Sequence, residues 1–339
     1  MKPTDFAYYL SAFFTKYLPG ECGLSANTVS SYRDTFLLLF RYLRDEKGMR
    51  IERLQLKDFN KGLIRDFLDW IENGRHCSIS TRNVRLIGIH SFFRYLQFEC
   101  PDFLLEWQKI LDIPVKKTER GTLNYMSLDG IRLLLQMPDQ HTRTGRRDIA
   151  LLSLMYDTGA RVQEVADLTP SMIRLTPPST IKLVGKGKKA RIVPLMDKQA
   201  DILSRYMIEN KLDSPKANQY PLFPGRRGEK LTRAGISYIL GKHAKMARVQ
   251  DASLIPPRLS PHCLRHSKAM HLLQSGVNLV YIRDLLGHVS VQTTEIYART
   301  DSQKKREAIE QAYTDVNPEM KPQWEGNPDL IEWLRTFIK

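Results

Sequence analysis

The run SPHCLRHSKAMHLLQSGVNLVYIRDLLGHVSVQTTEIYA, residues 260–298, holds two helical patterns, His262–Gln274 and Leu279–Leu286, and an unusual density of reactive side chains. Four of the chain's eight histidines fall within residues 262–288, in His262-Cys-Leu-Arg265-His266, His271 and Gly287-His288. Ten residues after Gly287 comes Tyr297, in Glu295-Ile-Tyr297-Ala. The surrounding sequence supplies further parts. Upstream lies Thr158-Gly159-Ala160-Arg161-Val-Gln-Glu164, and between the two stretches sits Gly185-Lys186-Gly187-Lys188-Lys189.

Working outward, the segment before this run alternates helices with one hairpin. Ser127–Leu135 starts on a capping serine, and Asp148–Tyr156 is an apolar helix. Thr158-Gly159 breaks the pattern before Arg161–Leu168 resumes it. Ile181–Val184 and Arg191–Pro194 read as strands flanking the Lys186 turn, and Arg233–Ala247 as a further helix. The stretch Ile113–Gly121 (IPVKKTERG) has proline, four charges and no apolar periodicity, so it reads as a linker.

The first hundred residues are helical in pattern. In Asn27–Leu43, Val29, Tyr32, Phe36, Leu39, Phe40 and Leu43 recur at three- and four-residue spacing, behind the cap types Ser25 and Asn27. Ser80–Gln97 places Val84, Ile87, Phe92, Tyr95 and Leu96 near one face, and shorter helices are expected at Thr4–Leu18 and Asn60–Glu72. Their aromatic stripes read as bundle core. At 339 residues, two domains are expected.

Charge divides the chain in the same way. Residues 1–113 hold 16 basic and 14 acidic side chains, residues 114–300 hold 30 and 15, and residues 301–339 hold 6 and 8. The formal net charge of +15 therefore sits in the middle segment. Positive charge so concentrated attracts a polyanion, through phosphate contacts and counterion release, although a basic surface can also serve solubility alone. Four scattered cysteines argue against a disulfide scaffold. No apolar run approaches the ~20 residues of a membrane helix. The N-terminus lacks the pattern of a signal peptide, and a cytoplasmic location is expected.

Arginines, lysine, histidines and tyrosine together form a compatible set for phosphoryl transfer. Such chemistry needs cations on the non-bridging oxygens, a nucleophile in line and a proton donor for the leaving oxygen. The order Arg161, Lys186, His262-x-x-Arg265, His288, Tyr297 resembles the tyrosine recombinase (phage integrase) family, in its Xer-like branch. The blocks TGARVQEVADLT, KLVGKGKKARIVPL, SPHCLRHSKAMHLLQSG and IRDLLGHVSVQTTEIYA all look like that family's motifs, and residues 1–113 resemble its core-binding domain more loosely.

The resemblance implies a mainly α chain of two domains. A helical, SAM-like core-binding bundle (1–113) and a linker (114–121) would precede an α-rich catalytic domain with a small antiparallel sheet (122–300) and a tail (301–339). It implies that Tyr297 attacks a DNA phosphate to form a 3′-phosphotyrosyl bond and release a 5′-hydroxyl. Arg161 and Arg265 would grip the non-bridging oxygens, and Lys186 would protonate the leaving oxygen, with Lys188 as the alternative. His262 would assist proton transfer with Tyr297, and His288 would bind the scissile phosphate. Glu164 would orient the site from behind. No cofactor and no metal are implied. The partners implied are double-stranded DNA, further copies of the chain (a dimer on each site, a tetramer in synapsis) and an accessory DNA-bending or directionality protein.

Other side chains have plainer readings. His262 and His266 share an i, i+4 spacing usable for zinc, but no Glu follows His262 as in H-E-x-x-H. His266 and His271 read as structural or DNA-backbone residues, Cys263 as a small buried hydrophobe, and Tyr281 as core. Behind Pro318, Pro322 and Pro328, Asp329–Ile338 sets Leu330, Trp333, Leu334 and Phe337 on one helical face, suited to docking on a neighbouring protomer or in cis. The leading functional reading is a recombinase that integrates or excises a mobile element. Chromosome or plasmid dimer resolution, a topoisomerase-like or telomere-resolving activity and a catalytically inactive DNA-binding regulator are the alternatives.

Overall fold

The computed structural model describes residues 3–118, 123–185, 187, 189–225, 227–288, 290–300, 331 and 335. The chain divides into two compact units, Met1–Gly121 and Thr122–Lys339.

The first unit is a helical bundle: α1 (Asp5–Ala12), a wide π-helical continuation (Phe13–Glu21), α2 (Ala26–Asp45), α3 (Lys61–Asp69), α4 (Ile79–Glu99) and α5 (Leu104–Leu111). Capping serines start the two long helices. Ser25 Oγ accepts from the Thr28 amide and Ser78 Oγ from the Thr81 amide. Aromatic rings from three segments meet at Phe92, whose centroid lies 5.2 Å from Phe13 and 5.3 Å from Phe36. Phe36, Leu39 and Leu43 are buried as their spacing requires.

The buried face of α4 includes Phe92, Tyr95 and Leu96 as expected but differs in the first half of the helix. Val84 and Ile87 are exposed, whereas Arg82, Asn83, Leu86 and Ile89 are buried. A polar clamp rotates the helix this way. The Asn83 amide donates to the Lys116 carbonyl (2.8 Å) and accepts from the Lys116 amide (3.1 Å), while Arg82 donates to the Pro114 carbonyl at 3.1 Å. Buried polar groups are tolerated when so paired. The start of the expected linker is thus fastened to α4.

The second unit comprises α6 (Leu128–Gln136), α7 (Arg143–Thr158), α8 (Val162–Ala166), β1 (Ile173–Arg174), β2 (Thr180–Val184), β3 (Ala190–Pro194), α9 (Asp197–Glu209), α10 (Arg233–Gln250), α11 (Pro261–Gln274), α12 (Leu279–Leu286) and α13 (Gln292–Thr300). Its sheet is antiparallel in the order β1-β2-β3, with β2 and β3 paired from Thr180↔Pro194 to Val184↔Ala190. Ile181, Leu183 and Val193 point into a core shared with Leu151, Leu154 and Met155 of α7 and Leu264 of α11. The fold is therefore mainly α, a helical bundle plus an α-rich unit with a small antiparallel sheet. Among the described residues no helix is long and apolar enough to cross a membrane.

Two left-handed glycines shape this unit. Gly159, at φ 57°, ends α7, and a Cβ there would lie 2.7 Å from a Leu286 methyl. Gly287, at φ 63°, ends α12, and a Cβ there would lie 2.8 Å from an Arg191 nitrogen. Only glycine fits both the backbone and the space. The expected tail helix Asp329–Ile338 lies outside the described residues, apart from Ile331 and Arg335.

Candidate active site

The last carbonyls of a helix have no partner within it, and they lie at the negative end of its dipole. At the end of α12 three such carbonyls in a row each receive an arginine. Arg191 Nε donates to Leu285 O (2.7 Å), Arg265 Nη2 to Leu286 O (2.6 Å) and Arg161 Nη2 to Gly287 O (2.9 Å). Arg265 spans further, its Nη1 donating to Gly159 O at 2.7 Å. The two glycine-ended corners are therefore pinned together by the buried guanidinium of Arg265 and the half-buried one of Arg161. In Arg161 and Arg265 these bonds use only part of the five N–H donors of each guanidinium.

Glu164 sits beneath the arginines, buried in the first turn of α8. It accepts from the Arg161 amide (2.8 Å), from Arg161 Nη1 (3.0 Å), and from Arg191 in bidentate fashion (2.9 and 2.7 Å). Burial alone would raise its pKa. Arg191, the Arg161 amide and the guanidinium charges outweigh that and hold it at about 2. A carboxyl depressed from 4.5 to about 2 contributes about 3 kcal/mol of stability above pH 4.5, lost as pH falls toward 2. Glu164→Gln should therefore destabilise the protein by about 3 kcal/mol at pH 7. In urea unfolding the gap from wild type should shrink between pH 4.5 and pH 2; a pH-independent gap would contradict this role.

Arg191 was not singled out by sequence reasoning, because a charged residue in a short strand looks like an ordinary exposed position. Its place four residues before the end of the KLVGKGKKARIVPL block was the available signal. It ties the strand that follows the Lys186 turn to Glu164 and to α12. Lys186 and Lys188 themselves lie outside the described residues; around them Gly185 N donates to Lys189 O at 2.9 Å.

Tyr297 lies on α13 and is 1% exposed, whereas Tyr281 is 71% exposed and not part of the core. The reversal has a simple cause. Ile282 and Leu286 carry the buried face of α12, and Tyr281 points away from it.

The Tyr297 hydroxyl bonds His266 Nδ1 at 2.9 Å, and its ring lies 6.4 Å from that of His288 with the planes 12° apart. His288 Nδ1 in turn bonds the hydroxyl of buried Thr294, one turn before Tyr297. Burial raises the Tyr297 pKa, and Arg265 and Arg161 pull it down in part. Burial also drives His266 and His288 to about 4, with Arg265 among the charges that add to this at both rings. Both imidazoles are thus neutral near pH 7.

His262 is solvent-exposed, its ring 6.3 Å from that of His266; desolvation and the charges of Arg265 and Arg161 lower its pKa. The histidine that reaches the tyrosine is therefore His266. Arg265, almost fully buried and close to Arg161, is lowered to about 10 and stays charged at neutral pH. His271 is core, bonding the Tyr156 hydroxyl at 2.9 Å. Among the described residues no group of three or more His, Cys, Asp and Glu converges as a metal site.

Chemically, the site offers two guanidinium groups, a buried phenol and neutral imidazoles around one point. In sequence and in fold the chain is similar to known proteins. The phage integrase family matches residues 124–304, and the phage integrase N-terminal SAM-like domain matches residues 12–99. A putative integrase/recombinase of Sinorhizobium fredii, y4rC, is 36% identical over 308 residues, spanning 91% of this chain and 92% of that one. Tyrosine recombinase XerD of Listeria monocytogenes is 32% identical over 302 residues, spanning 88% and 96%. In fold, the chain resembles the crystal structure of XerH site-specific recombinase bound to palindromic difH substrate as a post-cleavage complex. The TM-score there is 0.67 at 23% identity, over 83% of this chain and 78% of that one. The Tn1549 transposon integrase in complex with transposon right end DNA gives 0.67 at 15% identity, over 89% and 97%.

Proposed function

This chain belongs to the phage integrase family, that of the tyrosine recombinases, and within it we propose a site-specific recombinase that moves a mobile DNA element by way of a 3′-phosphotyrosyl intermediate. The observation that carries the reading is the seating of Tyr297 between two neutral histidines and beside Arg161 and Arg265.

In this mechanism the Tyr297 oxygen attacks the scissile phosphorus, and the bond to the 5′ oxygen breaks. Arg161 and Arg265 stabilise the charge that develops on the non-bridging oxygens, in positions already fixed by the α12 carbonyls and so with little reorganisation. His288 supplies a further contact to the phosphate, and His262 stands at the exposed edge. Lys186 donates the proton to the leaving 5′ oxygen. The phosphotyrosyl bond retains the energy of the broken phosphodiester, so a 5′-hydroxyl from another strand reseals the backbone without ATP. The guanidinium groups supply the positive charge that a metal supplies in other phosphoryl transfers. Recombination would join a dimer on each site into a tetramer, with an accessory DNA-bending protein where direction is controlled.

The relative named putative integrase/recombinase supports integration and excision. Those named XerD favour a second reading, dimer resolution. A nicked duplex, selected from a randomised pool by tight binding, tests the chemistry. Incubation with the chain in EDTA should give a protein–DNA adduct that survives detergent and leaves a free 5′-hydroxyl. Binding without an adduct would support the inactive regulator. Mapping adducts in cells separates the two roles: paired ends of a movable segment for the first, one chromosomal locus for the second.

A further inference from the structure

The hydroxyl of Tyr297 makes its hydrogen bond to a histidine outside the set that the sequence motifs single out. His266 follows Arg265 directly on α11, so the residue that seats the arginine also fixes the imidazole beside it. Arg265 is held at both ends by carbonyls, and α11 packs against α13. The 2.9 Å contact thus joins two positioned elements. Resting on the reading of Tyr297 as nucleophile, we infer that His266 is a catalytic residue, the base that takes the tyrosine proton during strand cleavage and returns it during ligation.

The proton balance is complete. As the P–O bond to Tyr297 forms, the phenolic proton passes to Nδ1 of His266, and the electron pair of the broken bond goes to the 5′ oxygen, protonated separately by Lys186. In ligation the 5′-hydroxyl attacks and returns its proton to Lys186, the P–O bond to Tyr297 breaks, and the imidazolium gives the phenolic proton back. Tyr297 is buried with a raised pKa and does not ionise unaided, whereas His266 is neutral and free to accept. The groups that hold the imidazole neutral are burial, His262 and Arg265. An arriving phosphate brings negative charge against those same groups, which favours the imidazolium as the reaction proceeds. His262, exposed and one helical turn away, is not the acceptor in this arrangement.

The test uses the full chain on the nicked duplex described above, and on the same duplex with sulfur in place of the bridging 5′ oxygen at the scissile phosphate. His266→Asn keeps an acceptor near the place of Nδ1 but is a far weaker base; His266→Ala removes the acceptor. Both should bind the duplex as wild type does and form adduct about 100-fold more slowly, in the range of a lost general base. The slowing should persist on the sulfur duplex, since a thiolate leaves without a proton while attack still requires one to be removed. Three results would overturn the inference: wild-type rates in His266→Asn, faster adduct formation in either variant, or a defect that sulfur cures. Wild type run in parallel keeps the two readings apart. Adduct formation by wild type with unchanged variants would remove only the role of His266.

Discussion

Tyr297→Phe is expected to abolish the protein–DNA adduct while leaving non-covalent binding of the same duplex nearly unchanged. The substitution deletes one oxygen from a ring that is 1% exposed and packed among Ala269, Met270, Ile282 and Leu286, so ring packing is kept. What it removes is, among the described residues, the one candidate nucleophile that is bonded to His266 and feels the charges of both Arg161 and Arg265. His266 Nδ1 loses its partner, a cost of about 1–3 kcal/mol for a desolvated acceptor, visible as a modest drop in melting temperature. Gel mobility measures binding and denaturing electrophoresis measures the adduct. An adduct that persists in Tyr297→Phe would transfer the nucleophile's role elsewhere, with exposed Tyr281 the first residue to examine.

Arg265→Lys should slow adduct formation by about 10²–10³-fold, the usual cost of removing a preorganised donor from a developing oxyanion. Charge is conserved in this variant, so the effect isolates geometry. The guanidinium bridges Gly159 O and Leu286 O while keeping donors free for a phosphate; one ammonium group cannot reach both carbonyls and the phosphate together. A buried carbonyl left unpaired costs a further ~1–3 kcal/mol of stability. Single-turnover cleavage at saturating protein separates the two effects, since a folded variant that binds DNA normally still shows the slower step. Cleavage within a few-fold of wild type would mean that Arg265 serves only to join the two corners.

Legibility of the site in the sequence followed the physics of each part. Helix α2 was plain because Phe36, Leu39 and Leu43 repeat at helical spacing and are buried. Helix α4 was read correctly at Phe92, Tyr95 and Leu96, which are buried, but not in its first half, since Arg82 and Asn83 look solvent-facing until their carbonyl partners at Pro114 and Lys116 are known. The hairpin was visible from alternating Ile181, Leu183 and Val193, whereas β1 spans only Ile173–Arg174, too short for a pattern. Helix α13 escaped because QTTEIYART offers few apolar residues to reveal a period.

The identities of Arg161, Glu164, Arg265, His288 and Tyr297 came from the resemblance of their sequence blocks to the tyrosine recombinase family, and the structure brings them around the end of α12. How they are held could not be read in advance. Backbone carbonyls carry no sequence signal, and three of them, at Leu285, Leu286 and Gly287, orient the arginines. Arg191 and His266 escaped for a different reason. Each acts through a partner distant in sequence, Glu164 in one case and Tyr297 in the other.

The central claim is that Tyr297 becomes covalently joined to a DNA 3′ end. Protease digestion of the adduct formed on the nicked duplex, followed by mass spectrometry of the DNA-bound peptide, tests it directly. The expected product is the peptide containing Glu295-Ile-Tyr297-Ala, with a nucleotide 3′-phosphate on the tyrosine and a free 5′-hydroxyl on the released strand. A peptide linked through any other residue, or a linkage to a 5′ phosphate, would contradict it.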